Sequence, residues 1–332
     1  MTVTAGSEIR EPSISLADIK TANSAIDPIF LKTPQFVDPG LAAQLGCELL
    51  LKVETLNPVR SFKGRGASWT MQSLAGDIAD SGIERVICAS AGNFGQAIAY
   101  AGRTAGIPVT VFAATTANEA KIARIREFGA EVVLTGRDFD AAKESARAYA
   151  AVASGGRVRF VEDAADLETV VGAGTIGLEL APEKLDLLLV PLGNGALING
   201  IATWLKVHSP DTRIVGICAA GAPSMYKSWK AGKVIETEAA ETSADGIAVR
   251  LPIASAVHLT MELVDDIVLV AEETIDEALR VARDHAGLLL EPSGVIGIAA
   301  VLAYPELRQG RVGTILTGAN LSPQVLAELT GR

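Results

Sequence analysis

The stretch DLLLVPLGNGALINGIATWLK (Asp186 to Lys206) runs from a continuous apolar segment, through a glycine-rich turn, into a helical pattern. A strand that is apolar at every position is covered on both faces, the condition of a parallel sheet packed between helices. The same unit recurs without sequence identity. RVICAS leads into AGNFGQAIAYAGRTAG, PVTVFAA into NEAKIARIREFG, EVVLTG into DFDAAKESARAYAAVA, and VGTILTG into ANLSPQVLAELT. Strands alternating with amphipathic helices predict an α/β protein built on parallel sheets. No fixed-length repeat or low-complexity tract interrupts them.

Three of these units follow one another from about Glu84 to Gly155, and the glycines of ASGGRV (Ala153 to Val158) suit a hinge. The expected organisation is a smaller α/β unit, 84–155, inserted in a larger one made of 1–83 and 156–332. A chain of 332 residues, 49% hydrophobic and 20% charged, fits a compact enzyme and not a disordered protein. The net charge of -10 contains no block of like charges, which excludes nucleic acid and anionic membrane as natural partners. MTVTAGSEIREPSISLADIK has no apolar core after a basic start, so no signal peptide is expected; the apolar runs are too short to span a bilayer. Three scattered cysteines (Cys47, Cys88, Cys218) and three separated histidines (His208, His258, His285) give neither a disulfide framework nor metal-ligand spacing, so no metal is expected. The expected setting is the cytoplasm.

Glycine-rich loops fall where three strands should end: SAGNFGQ (Ser90 to Gln96), LGNGALING (Leu192 to Gly200) and LTGANLS (Leu316 to Ser322). Open α/β sheets bind ligands at such carboxyl ends. In GNGAL the small residues either let a helix pack closely on its strand or bare backbone N–H groups for a phosphate. A dinucleotide fingerprint fails because Ile198 stands where its third glycine belongs, and no P-loop motif occurs. A fourth segment, NPVRSFKGRGAS (Asn57 to Ser68), sets Lys63 between Phe62 and Gly64 at an expected helix start. One phosphate and one reactive lysine describe pyridoxal 5′-phosphate, whose aldehyde condenses with an amine.

SFKGRGA, SAGNFGQA, GAGTIGLEL, LGNGAL, ADGIA, EPSGVIG and LTGAN occur in this order. From about Ile14 onward the chain resembles the fold-type II pyridoxal-phosphate enzymes, in particular their threonine/serine dehydratase and serine racemase branch. The resemblance implies a tryptophan synthase β-like fold of two three-layer, parallel-sheet domains with the cofactor in the cleft between them. It implies that Lys63 holds the cofactor and later moves protons at Cα, and that Phe62 packs on the pyridine face, a role compatible with being a core aromatic. Asn93 is expected at the ring hydroxyl, Gly193, Asn194, Gly195, Ala196 and Leu197 around the phosphate, and Thr317 at the pyridine nitrogen. Ser90, Ala91 and Gly92 are expected at the substrate carboxylate, Gly246 and Asp245 near the substrate side chain, and Glu291 either near the ring or as a helix-start carboxylate. No regulatory domain is expected after LTGAN, which implies a likeness to the short, catabolic-type dehydratases. A homodimer is usual for the family.

The departures bear on substrate and reaction. Ala91 stands where racemases carry a serine acting from the far face of Cα, which points to elimination rather than racemisation. Phe94 replaces the usual histidine and would line the substrate pocket, Asn194 interrupts an otherwise all-glycine cup, and Ala173 replaces glutamine. CAAGAPSMYKS lacks the carboxylates of cation-activated relatives. The expected activity is dehydration of threonine, serine or a related β-hydroxy amino acid to a 2-oxo acid and ammonia. A β- or γ-replacement synthase, threonine-synthase-like, stays open as an alternative, as does a non-catalytic amino-acid-binding protein.

Overall fold

A computed structural model describes residues 14–153 and 157–331; the glycines of the expected hinge, Gly155 and Gly156, lie outside the described residues. In chain order the strands are β1 (Gln35–Val37), β2 (Leu49–Val53), β3 (Arg85–Ala89), β4 (Val109–Ala113), β5 (Glu131–Leu134), β6 (Val158–Phe160), β7 (Leu187–Pro191), β8 (Arg213–Ala219), β9 (Asp266–Val270) and β10 (Val312–Leu316). They form a six-stranded sheet ordered β1-β2-β10-β7-β8-β9 and a four-stranded sheet ordered β5-β4-β3-β6. Only β1 is antiparallel to its neighbour; the other pairings of the larger sheet and all those of the smaller one are parallel. The chain leaves the larger sheet after β2, builds the smaller one and returns at β7. β10 then inserts between β2 and β7, with Thr314 opposite both Leu51 and Leu189.

Burial follows the sequence pattern. β4, β7 and β10 are buried at every position, as their unbroken apolar runs require. Edge strands β5 and β6 contain no fully buried residue. β6 pairs with β3, Phe160 opposite Ile87, so it belongs to the smaller sheet although it follows residue 155, where that unit was expected to end. Its short run VRF carries a central charge and little apolar signal.

The helix Lys63–Ser81 opens on the lysine itself. It packs against the helix Leu167–Leu180 through glycines: a Cβ on Gly66 would lie 2.8 Å from the Thr169 carbonyl oxygen, and one on Gly172 would lie 2.6 Å from the Gly66 Cα. A Cβ on Gly64 would fall 2.2 Å from the Phe30 ring. The two glycines that follow Lys63, Gly64 and Gly66, therefore serve close packing against Phe30 and Thr169. Two residues on, Arg65 is wholly buried and donates to both oxygens of Glu54 at 2.8 Å and to Glu179 at 2.7 Å. Buried Lys52, from β2, donates to Glu179 at 2.5 Å. Burial opposes ionisation of Glu179, but hydrogen bonds and charge from Arg65 and Lys52 outweigh it and hold the carboxyl below its usual range. This two-by-two set of charges fixes the start of the lysine helix against β2.

Candidate active site

The carboxyl ends of β3, β7 and β10 and the start of the lysine helix converge on one cavity of about 400 Å³. Phe62, Lys63, Ser90, Ala91, Gly92, Asn93, Phe94, Gly193, Asn194, Gly195, Ala196, Leu197, Gly246 and Thr317 all line it, with Asp245 and Glu291. A larger concavity, about 730 Å³, is lined by Arg60, Asn118, Arg124, Leu289 and Asn320. It shares Lys121 with the first and contains none of those residues.

Local hydrogen bonds set each wall. The Phe62 N–H donates to the Thr317 carbonyl at 3.0 Å, and Ser61 bridges Gly318, so the segment before Lys63 is stitched to the loop after β10. The Lys63 amine lies 4.4 Å from the centre of the Phe62 ring and 2.5 Å from Asp163 Oδ2. The Ser90 hydroxyl accepts the Gly92 N–H at 3.2 Å, folding the loop after β3 into a tight turn. Asn93 donates to Glu291 Oε1 at 2.6 Å and accepts from Asn320 at 2.7 Å. Glu291 also accepts from Ser293 and from the Asn320 backbone. Burial first, then the charge of Asp245, pushes the Glu291 carboxyl above its usual range despite these donors. Thr317 donates to the Ser293 carbonyl at 3.2 Å, which holds its hydroxyl oxygen at the cavity wall.

The loop after β7 has the form of an anion cradle. Gly195 is left-handed (φ +95°), and a Cβ there would lie 2.9 Å from the Asn199 amide nitrogen. It begins the helix Ala196–His208 without any side-chain cap, so the first-turn N–H groups have no side-chain acceptor. Asn194 Oδ1 is buried without a partner. A phosphate fits this cradle, and the Lys63 amine on the same cavity fits an aldehyde.

A family model described as pyridoxal-phosphate dependent enzyme matches residues 26–318. The chain belongs to the pyridoxal-phosphate dependent enzymes. Among similar sequences is an L-threonine ammonia-lyase of Geobacter sulfurreducens, 37% identical over 87% of this chain and 71% of its own length. Another, from Thermotoga maritima, is 32% identical over 96% of this chain and 79% of its own. Among similar structures, the processed form of threonine deaminase isoform 2 from Solanum lycopersicum superposes with a TM-score of 0.86 at 31% identity, covering 95% of this chain and 91% of that one. Maize serine racemase gives 0.86 at 26% identity, covering 95% and 96%. The architecture is accordingly that of the fold-type II members of this pyridoxal-phosphate family, and its cofactor is pyridoxal 5′-phosphate.

Sequence reasoning did not find Asp163, Ser293 or Asn320 at this pyridoxal-phosphate site. Asn320 was within reach, since it closes LTGAN, and Ser293 sits inside EPSG. Asp163 had no motif to mark it: it follows a weak edge strand, in RFVEDAAD.

Proposed function

We propose that the chain is a pyridoxal-phosphate-dependent ammonia-lyase acting on a small β-hydroxy amino acid of the threonine or serine kind, releasing a 2-oxo acid and ammonia. One observation carries the reading: a lysine amine, a phosphate cradle and the Ser90–Asn93 loop open on a single cavity. The threonine ammonia-lyase relatives support the substrate class. Gly193 to Leu197 would hold the phosphate, and Lys63 would hold the aldehyde carbon. When bound, the cofactor supplies an electron-withdrawing ring that drains charge from Cα. Ser90, whose hydroxyl oxygen is fixed by the Gly92 N–H, and the N–H groups of Ala91 and Asn93 orient the substrate carboxylate. Freed by the substrate's own amine, Lys63 takes the proton from Cα. Phe62 and Phe94 keep water from that carbon, and Asn93, steadied by Glu291 and Asn320, orients the ring. Thr317 would turn the hydroxyl proton it gives to the Ser293 carbonyl toward the pyridine nitrogen, where a carboxylate would instead hold a proton on that nitrogen. The β-hydroxyl leaves as water with the proton that Lys63 took from Cα, and the unsaturated amine that is released hydrolyses to the 2-oxo acid and ammonia.

Two sheets with separate strand orders support the two-unit organisation, the inserted unit starting near Glu84. The homodimer rests on the family resemblance, and the cytoplasmic setting on three scattered cysteines that make no disulfide framework. Among the described residues no helix is long and apolar enough to cross a membrane. The test is a screen of L-amino acids with the cofactor-loaded protein, measuring 2-oxo acid and ammonia, with Lys63→Ala as control. L-Threonine or L-serine should give both products and Lys63→Ala neither. Turnover that needs a second nucleophile or a phosphorylated substrate would select a replacement synthase instead.

A further inference from the structure

The contact between Lys63 and Asp163 has no part in the mechanism above, and the way it is built gives it one. Asp163 lies in the turn after β6, which runs beside β3, so the turn adjoins the Ser90–Asn93 loop. The turn is held from within: Ala164 is left-handed (φ +65°), its N–H donates to Thr169 Oγ1 at 3.0 Å, and the Glu162 N–H donates to Asp166 at 2.6 Å. Thr169 is also the residue whose backbone abuts Gly66. One helix, Leu167–Leu180, thus sets both the turn that carries Asp163 and the helix that begins with Lys63.

The carboxylate is not tying the fold elsewhere. Oδ2 faces Lys63, and Oδ1 is buried without a hydrogen-bond partner. The other charged groups facing the cavity are committed: Lys143 to Glu162, which also takes Arg147 from outside it, Lys121 to Asp245, and Glu291 to Asn93 and Ser293. Cys88, on β3, is a neutral thiol, pushed up to about 12 by burial and then by the charge of Asp163.

We infer that Asp163 is the counter-ion of the Lys63 nitrogen, a positioning residue that steadies its positive charge while it holds the cofactor and after it has taken the Cα proton. The inference rests on the role proposed for Lys63. Joining an ammonium to an aldehyde releases water and leaves the positive charge on nitrogen, so the carboxylate faces the same charge before and after. When the substrate amine displaces Lys63, the lysine leaves as a neutral amine and regains that charge with the proton from Cα.

The experiment follows the visible absorption of the cofactor-loaded protein against pH in wild type, Asp163→Asn and Asp163→Glu. Removing an opposite charge at this distance should lower the pH midpoint of the spectral change by about one unit or more in Asp163→Asn, and Asp163→Glu should restore most of it. Pyridoxine 5′-phosphate, which has no aldehyde, should bind wild type and Asp163→Asn alike, reporting an intact phosphate cradle. If Asp163→Asn loses that binding, Asp163→Ser carries the same comparison. An unchanged midpoint in a variant that binds pyridoxine 5′-phosphate normally overturns the inference. Failure of the wild type to form any visible band overturns the role of Lys63 instead.

Discussion

Replacing Gly195 by alanine tests the phosphate cradle with a single methyl group. Gly195 has φ +95°, a conformation that costs an L-residue about 1–2 kcal/mol. The new Cβ would also stand 2.9 Å from Asn199 Nδ2 and 3.4 Å from Thr260 Oγ1. Asn199 cannot swing away cheaply: it is buried, donates to the Ala256 carbonyl at 3.0 Å and accepts from Thr260 at 2.9 Å. The loop must therefore move, and the free energy needed to restore its shape is drawn from cofactor binding. At 1.4 kcal/mol per factor of ten, the conformational part alone raises the Kd for pyridoxal 5′-phosphate about five- to thirty-fold. The assay is equilibrium titration of cofactor-stripped protein, followed at the visible band, with pyridoxal in parallel because it keeps the aldehyde and lacks the phosphate. Affinity for pyridoxal should change less than about two-fold. Gly193→Ala should cost less than Gly195→Ala, since its Cβ would meet Gly246 and Ile247 at 3.2 Å without a left-handed backbone. Equal losses for pyridoxal and its phosphate, or no loss for either, would remove the phosphate from this loop.

Two further outcomes are expected. Ala91 lines the cavity with a methyl group that can neither give nor take a proton, so chiral chromatography after turnover of L-serine should find little D-serine, and abundant D-serine would refute the elimination reading. Glu179 has a lowered carboxyl pKa, so its contribution to stability is fully present above the unfolded value, near 4.5, and is lost as pH falls through the lower folded value. Glu179→Gln should lower stability at pH 7 by roughly 3–5 kcal/mol by leaving Arg65 and Lys52 short of charge, and the gap to wild type in thermal midpoint should narrow at acid pH.

Of the strands seen in the sequence, β3, β4, β7 and β10 are buried along all or nearly all of their length, where apolar content is unbroken, while β5 was seen through its run of valines and leucine although it is a half-exposed edge. β2 hid behind Lys52, a buried charge that reads as a surface residue until Glu179, far along the chain, is brought to it. β8 hid behind Gly216, whose missing side chain leaves room for Leu192; a Cβ there would lie 2.9 Å from it. The cavity residues were legible because they cluster in loops that leave strand ends directly, at Ser90, Leu192 and Thr317. Asp163 was not, since its role comes from a pairing of strands, β6 with β3, that no local pattern encodes. The purpose of the glycines beside Lys63 was equally hidden, because Phe30 and Thr169, which they accommodate, are remote in sequence.

Two ion pairs join the helices of the smaller sheet to the irregular chain between β8 and β9: Lys121 with Asp245, beside the cavity, and Asp140 with Arg250. Their partners are partly exposed, so dissolved ions compete for them, and at physiological ionic strength screening acts within about 8 Å. Raising ionic strength should therefore weaken both pairs while leaving the buried Arg65–Glu54 pair intact, and product release, read as kcat against salt, is expected to quicken if these pairs hold the mouth of the cavity closed.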